Sequence, residues 1–350
     1  MSAFLHGTWT IAALEVRQRV RSLAWYVLLG IFAVLLIIVT MLASAAFLTS
    51  PERFRGTYSV VVYFVLLLAV LVTPALSGNA INGDRDAATL APVQVTLVTT
   101  WQIILGKFLA AWITGLAFVA VAVPFLAFTA IAGGVPPGVL AVSIVVLLVE
   151  IAVVAAVGVG LSGILNRALF SVVATYLVVA ALTVGTLIAF GLGGTSVKSE
   201  AVQQYRDYVY DANGMVSDPP VCGEWQTSEY EVPRLDYVWW TLTPNPFVIL
   251  ADATPIAFDV RGYPVDLFGQ ISTSVRQVQL PPDLEQRFDG CRQGAFNEDF
   301  DTAEQIHAKT TPSWFVGLAL QVVLAAAALV WAWARTRTPA GRLPKGTRIA

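Results

Sequence analysis

Long apolar runs separated by polar segments dominate the pattern of this chain. A transmembrane helix needs about 20 consecutive apolar residues, and six runs reach that length with very few charged residues inside them. The first run lacks the small-residue cleavage site of a signal peptide, so we interpret it as a true span. The pattern therefore predicts six transmembrane helices, near residues 25–48, 58–77, 104–131, 139–163, 169–192 and 313–334.

A helical pattern also precedes the first span, in residues 8–23. Its apolar positions recur at helical spacing and are Trp9, Ala12, Val16, Val20 and Leu23. Its polar face carries Glu15, Gln18, Arg19 and Ser22. Arg17 and Arg21 would lie at anionic lipid headgroups. The spacing predicts an amphipathic helix on the membrane surface, and the alternative is a plain basic anchor that fixes topology.

The segment 78–107 is polar although it lies between two apolar runs. Its backbone could not satisfy its hydrogen bonds in hydrocarbon, so it must protrude into water. It begins with the charge triplet Asp84-Arg85-Asp86, and Leu90, Val93 and Leu97 follow at helical spacing. We expect a short helix there, bent or ended by Pro92. On the residues alone, a solvated turn and a docking element are equally good interpretations.

Glu150 lies near the middle of the fourth predicted span. An ionised carboxylate there costs at least about 2.5 kcal/mol, so the side chain should face the bundle interior, find a donor or stay protonated. One interpretation places it in a substrate path or a gate. The other is a neutral carboxyl that hydrogen-bonds a neighbouring helix and serves packing.

The segment 195–312 is polar and acidic, with many prolines and glycines. It is predicted to be mixed helix and loop, with helices at 199–212 and 265–278. An apolar patch at 237–253 is too short to span and is broken by prolines on both sides of Asn245, which favours an interfacial or re-entrant helix. Both cysteines, Cys222 and Cys291, lie in this insert. One disulfide is expected if the insert faces an oxidising compartment, and two free thiols are the alternative.

Composition supports the membrane assignment, because 57% of the residues are hydrophobic and only 13% are charged, against about 25% charged in soluble domains. Lys and Arg concentrate before the first span, in the even-numbered loops and in the tail. The positive-inside rule therefore predicts a multi-pass protein with both termini in the cytosol. The predicted divisions are 1–23, 24–194, the exoplasmic domain 195–312, the last span 313–334 and the basic cytosolic tail 335–350.

The sequence lacks the motifs of several enzyme classes. It has no Walker A, HExxH or Gly-x-Ser-x-Gly motif. Its two histidines, His6 and His307, are predicted on opposite sides of the membrane, which argues against His-based triads and zinc sites. We therefore expect no catalytic site, no metal site and no nucleic-acid partner.

Three stretches resemble the ABC-2 type transporter permeases. That family has an acid-Arg-acid triplet, a Thr-Leu pair and a Gly-Lys pair in its first cytosolic loop, matched here by Asp84-Arg85-Asp86, Thr89-Leu90 and Gly106-Lys107. The family's amino-terminal pattern is matched by Glu15, Arg17, Gln18, Arg21 and Ser22, and its exoplasmic Asn-Pro-Phe by Asn245, Pro246 and Phe247. The departures are Asp for Glu in the triplet, Ala87-Ala88 in place of a glycine, and Leu97 near a customary proline.

Together, the residue pattern and the resemblance predict an all-α membrane protein with six transmembrane helices, an amino-terminal interfacial helix and a mixed helix and loop exoplasmic domain between spans five and six. It implies that the loop is a coupling element that docks onto a separate ABC ATPase subunit, through Asp84, Arg85, Asp86, Thr89, Leu90, Val93 and Leu97. ATP and Mg²⁺ would bind the ATPase, and this chain would hold no cofactor. The other implied partners are a second permease subunit, identical or paralogous, and membrane lipid.

An exporter in a bacterial plasma membrane is the expected function. The alternative is a membrane-anchored sensor that acts through the acidic domain 195–312.

Overall fold

The computed structural model describes residues 3–49, 52–87, 98–210, 215–216, 219–291 and 301–336. The helices of the first two thirds of the chain are α1 (Ala3–Val20), α2 (Leu23–Ala46), α3 (Arg53–Ser77), α4 (Asn82–Asp86), α5 (Thr100–Gly133), α6 (Pro137–Ile164), α7 (Ala168–Ala180) and α8 (Thr186–Ser196). Those that follow are α9 (Pro246–Ala253), α10 (Leu267–Gln277), α11 (Ala303–Lys309) and α12 (Trp314–Thr336). The strands are β1 (Lys198–Arg206), β2 (Gln226–Pro233) and β3 (Glu285–Asp289).

Six helical stretches within the described residues are long and apolar enough to cross a membrane, so this is a multi-pass membrane protein. They are Leu23–Ala46, Arg53–Asp86, Thr100–Gly133, Pro137–Ile164, Ala168–Ser196 and Trp314–Thr336. The prediction of six spans is confirmed, with ends that differ by one to nine residues. We call the side of the bundle that carries α1 and α4 the loop side, and the side that carries residues 197–313 the insert side.

The centre of the bundle is formed by α3, α5 and α6. Leu66, Phe118, Leu147 and Ile151 are almost completely buried there. Lipid tails are as apolar as these side chains, so close packing rather than water exclusion holds membrane helices together. Small residues permit this close packing. A Cβ added at Gly115 would lie only 2.5 Å from Ile151 Cγ2, so a larger residue would push α5 and α6 apart. By contrast, α2 is only 17% buried and lies at the periphery.

The fifth span contains a π-helical turn, Ala181–Gly185, between α7 and α8. Such a turn interrupts the regular hydrogen-bond ladder of a helix and leaves carbonyl groups for other partners. The Thr183 carbonyl accepts a hydrogen bond from the Asn245 side chain at 2.8 Å. The π-turn therefore provides an attachment point for the insert.

The prediction of a helix at 199–212 is wrong. Most of that stretch is β1, the central strand of a sheet ordered β2-β1-β3, antiparallel to β2 and parallel to β3. Hydrogen bonds to two distant strands outweigh a weak local helix preference. The insert is therefore mixed α and β, which corrects the all-α expectation, whereas the helix expected at 265–278 is confirmed as α10.

The expected disulfide is confirmed. Cys222 and Cys291 are bonded, with their Cα atoms 6.1 Å apart. The bond joins the segment before β2 to the residue that follows β3 by two positions, and Tyr208 donates a hydrogen bond to the Cys291 carbonyl at 2.9 Å. The disulfide therefore closes the end of the sheet at which the parallel strands β1 and β3 finish.

Candidate functional site

The segment that follows α3 is fastened to the loop-side ends of α6 and α7. Ser162 Oγ accepts hydrogen bonds from the backbone N–H groups of Ile81 and Asn82, at 2.9 and 3.1 Å. The buried Asn82 amide donates to Ser171 Oγ at 3.0 Å, and Ser171 donates to the Gly78 carbonyl. These bonds satisfy the polar groups of a segment that would otherwise be buried without partners. Residues 78–86 are thus an ordered part of the bundle rather than a loose turn.

The three residues of the charge triplet have different surroundings. Arg85 points inward and donates to the carbonyls of Gly163 and Leu165 at 3.0 and 3.1 Å. A cation at the carboxyl end of a helix satisfies free carbonyls and complements the helix dipole, so Arg85 caps α6. Asp84 forms an ion pair and Asp86 is exposed. Thr89, Leu90, Val93 and Leu97 lie outside the described residues.

Lys107 lies at the centre of the loop side. Its side chain is 3% exposed, and Nζ lies 2.5 Å from Glu15 Oε1 and 2.7 Å from Asp84 Oδ2. The three residues come from α1, α4 and α5, so a single ammonium joins three elements. We call Glu15, Asp84 and Lys107 the Lys107 cluster. The two carboxylates exceed the single cation by one charge, which leaves the cluster acidic.

Close backbone packing brings α1 against α5. A Cβ added at Gly106 would lie 2.7 Å from Ile11 Cβ and 2.9 Å from the Thr8 carbonyl oxygen. One turn earlier, Gln102 forms a capping box with Thr99 and donates to the Phe4 carbonyl at 3.1 Å. The Gly-Lys pair thus has two roles: the glycine admits α1, and the lysine pairs with its glutamate.

The expected orientation of α1 is wrong in part. Glu15 and Arg19 were assigned to the water-exposed face, yet both contact the bundle, and Arg19 donates to Thr114 Oγ1 at 3.0 Å and to the Leu76 carbonyl at 2.7 Å. Burial lowers the pKa of the Arg19 guanidinium, and the nearby Glu15 carboxylate opposes that shift. Arg17 and Arg21 are exposed, as expected of residues at a membrane surface. The helix is seated by polar contacts that hydrophobic periodicity does not reveal.

A cleft of about 570 Å³ opens beside the Lys107 cluster. Apolar side chains of α1 and α5 form part of its wall, and the cluster contributes its polar part. Its lining includes His6, Thr10, Leu14, Ile103 and Lys107. The chain thus presents a concave, mixed apolar and acidic surface on the loop side, next to exposed Asp86.

Glu150 is 1% exposed and faces the interior of the bundle, as expected. Its carboxyl interacts with the side chain of Gln321 of α12, whose Nε2 also donates to the Pro244 carbonyl at 2.9 Å. Glu150 Oε1 and Gln321 Oε1 are both buried without a hydrogen-bond partner among the described residues. Glu150 does not line the cleft beside the Lys107 cluster, so the structure does not bring Glu150 together with the predicted coupling residue Asp84.

The Asn245-Pro246-Phe247 motif joins the insert to two spans. Asn245 Oδ1 accepts from the Phe247 N–H at 2.9 Å and caps α9, while its amide donates to Thr183 and to Thr186 Oγ1. Pro246 occupies the first turn of α9, where its missing N–H leaves no bond unmade. The Phe247 ring stacks on Tyr63 of α3, with centroids 6.2 Å apart.

A second buried charge pair, missed in the sequence, fastens α9 to α10. Asp252 accepts from Arg276 Nε at 2.6 Å, from Ser272 and from the backbone N–H of Ser313 and Trp314. Burial alone would raise the pKa of Asp252, but the hydrogen bonds from Ser313 and Arg276 hold it below its ordinary value. No sequence motif marked this pair, because its members are 24 residues apart in an irregular region.

Lys107 itself was missed as a site residue, although it was quoted in the motif. A lysine eight residues into an apolar helix requires a partner, and that requirement was the available signal. No known protein-family model matches this chain, and no curated protein matches it.

Proposed function

We propose that this chain is the membrane-spanning permease subunit of an ABC-2 type transporter, an exporter in a bacterial plasma membrane. A separate ATPase subunit would bind ATP and Mg²⁺, and a second permease subunit, identical or paralogous, would complete the pathway. Both termini and the loop side would face the cytosol, and the insert would face outward.

The observation that carries the proposal is the Lys107 cluster. A buried ammonium joins the amino-terminal helix, the polar segment 78–86 and the third span, and Arg85 joins the same segment to the end of the fourth span. Force applied by a partner at this surface would therefore reach two central spans through short, charge-assisted bonds. A coupling surface needs that connection, whereas a solvated turn does not.

The three residues of the charge triplet have different surroundings, and this difference decides which one is substituted to test the proposal. Charge reversal at Asp84 or Arg85 would also break contacts within the chain, so its effect on a partner would be ambiguous. Asp86 is exposed and is the better probe of docking. Glu229, an exposed acid of β2 on the insert side, is the matched control.

The experiment is affinity purification of the tagged chain from native membranes, with ATP hydrolysis measured in the eluate. We expect an ATPase to co-purify with the wild type and with Glu229→Lys, and to be lost or uncoupled with Asp86→Lys. If no ATPase co-purifies with the wild type, the transporter proposal fails and the sensor alternative becomes the better one.

A further inference from the structure

A groove on the outside of the bundle lies between α2, α3 and α5, near their insert-side ends. It has a volume of about 560 Å³, and most of its wall is aliphatic or aromatic. Ile37, Met41, Leu48, Phe125 and Phe128 are among its lining residues. Met41 is 68% exposed and Phe128 is 57% exposed, so the groove opens away from the bundle core. In a spanning segment, that direction faces the acyl chains of the bilayer.

Two polar side chains line this apolar groove, and each has one buried atom without a hydrogen-bond partner among the described residues. Thr40 Oγ1 and Arg53 Nε are buried, and neither has a hydrogen-bond partner among the described residues. A buried polar group without a partner costs about 1–3 kcal/mol, and more when it carries charge, so unpaired groups of this kind call for an explanation. Both atoms are hydrogen-bond donors, and both residues line the groove.

Arg53 differs from its neighbour Arg55 in this respect. Arg55 Nε lies 3.3 Å from the Glu52 carboxylate and also donates to the Gly133 carbonyl at 3.1 Å. Among the described residues, the Arg53 guanidinium has a cation–π contact with the Phe54 ring, whose centroid is 5.2 Å from Cζ. A guanidinium on a ring face can also donate hydrogen bonds through its N–H edge to an anion.

We propose that this groove binds an anionic phospholipid, with an acyl chain along α2 and α5 and the phosphate at Arg53. The apolar wall suits a hydrocarbon chain, and the Arg53 guanidinium and the Thr40 hydroxyl can donate to phosphate oxygens, which only accept hydrogen bonds. Arg53 stands at the first position of α3, at the end of the span, where a lipid headgroup would lie. The ligand is thus defined by an apolar tail and an anionic head on one molecule.

The test measures lipid binding to the purified full chain in neutral detergent by native mass spectrometry. Phosphatidylglycerol is compared with phosphatidylcholine of the same acyl chains, and with glycerol phosphate, which has the headgroup without the tail. We expect saturable binding of phosphatidylglycerol, weaker binding of phosphatidylcholine and none of glycerol phosphate.

Three variants locate the site. Arg53→Gln should weaken phosphatidylglycerol binding about tenfold, the equivalent of one charge-assisted hydrogen bond. Arg55→Gln removes the same charge at the same depth outside the groove and should leave affinity within about twofold of wild type. Ala45→Trp fills the groove and should abolish binding of both lipids.

Unfolding temperatures without added lipid confirm that each variant is folded. Equal binding of the two lipids by the wild type would overturn the proposal, as would equal losses in Arg53→Gln and Arg55→Gln. If the apparent occupancy of the groove rises with protein concentration and not with lipid concentration, a second copy of the chain covers the groove, and this result would also overturn the proposal. These outcomes are independent of whether an ATPase partner exists.

Discussion

Replacing Lys107 with Met tests whether the Lys107 cluster holds α1 on the bundle. Met keeps the length and volume of the lysine stem but cannot pair with Glu15 or Asp84, so the two carboxylates would lose the ammonium between them. Removal of one partner from a fully buried ion pair costs about 3–5 kcal/mol. Here Glu15 and Asp84 are 21% and 30% exposed and keep some water, so the lower figure of about 2–3 kcal/mol applies.

The measurement is backbone hydrogen exchange of α1 in detergent micelles, which reports the free energy of local opening. A loss of about 2–3 kcal/mol predicts that α1 amides of Lys107→Met exchange about 30- to 140-fold faster than those of the wild type. Amides at the centre of α6, far from the cluster, should be unchanged and serve as the internal control.

A triple variant separates charge from packing. Lys107→Met combined with Glu15→Gln and Asp84→Asn removes the unpaired carboxylates together with the cation. Replacement of a buried ionic group by neutral groups of similar volume is often nearly neutral, so the triple variant should recover most of the protection of α1. If the α1 amides of the triple variant exchange as fast as those of Lys107→Met alone, the loss of α1 protection is not electrostatic and the reasoning is refuted.

Three further predictions concern packing and the insert. Gly106→Leu should separate α1 from α5 and destabilise their packing by about 1–3 kcal/mol, which would speed hydrogen exchange in α1. Gly30→Ala is the control: no atom lies within 4 Å of its new Cβ, so exchange in α1 should be unchanged. Asp252→Asn should destabilise the insert by about 3 kcal/mol. Because the pKa of Asp252 is lower in the folded state, its stabilisation is present above the unfolded value of about 3.9 and is lost as pH falls through the folded value. Acid unfolding followed by tryptophan fluorescence should therefore show that the stability of Asp252→Asn falls less steeply with decreasing pH than that of the wild type. Equal slopes of stability against pH would contradict this assignment. The double variant Cys222→Ser, Cys291→Ser opens a loop between positions 69 apart and should lower the unfolding free energy of the insert by about 4 kcal/mol. Denaturant titration measures this loss, and an unchanged midpoint would be inconsistent with a closed loop.

The spans could be predicted from sequence because the bilayer imposes a local rule. A helix satisfies its own backbone and shows its lipid-facing surface as an apolar run, so the run at 139–163 nearly matches Pro137–Ile164. The single disulfide was also predicted, because the only two cysteines lie in one insert expected to face an oxidising compartment. The spans depend on short stretches of chain, and the disulfide depends on the cysteine count and compartment.

The sheet and the Lys107 cluster depend on distant residues, and the sequence did not reveal them. β1 is a strand because β2 and β3 supply its hydrogen bonds, although residues 199–212 alone favour a helix. Glu15 lies on the polar face by periodicity, but Lys107, 92 positions later, turns that face toward the protein. The triplet was recognised, but the inward orientation of Arg85 depends on the end of α6.

The central claim is that the surface around Asp86 contacts an ATPase, and crosslinking tests it most directly. Asp86 is replaced by a photoreactive amino acid in living cells, the sample is irradiated, and crosslinked proteins are identified by mass spectrometry, with Glu229 replaced in the same way as the control. The account predicts a crosslink from position 86 to a protein with a nucleotide-binding ATPase domain, and no such crosslink from position 229. An identical set of products from both positions, or products from position 86 that contain no ATPase, would contradict it.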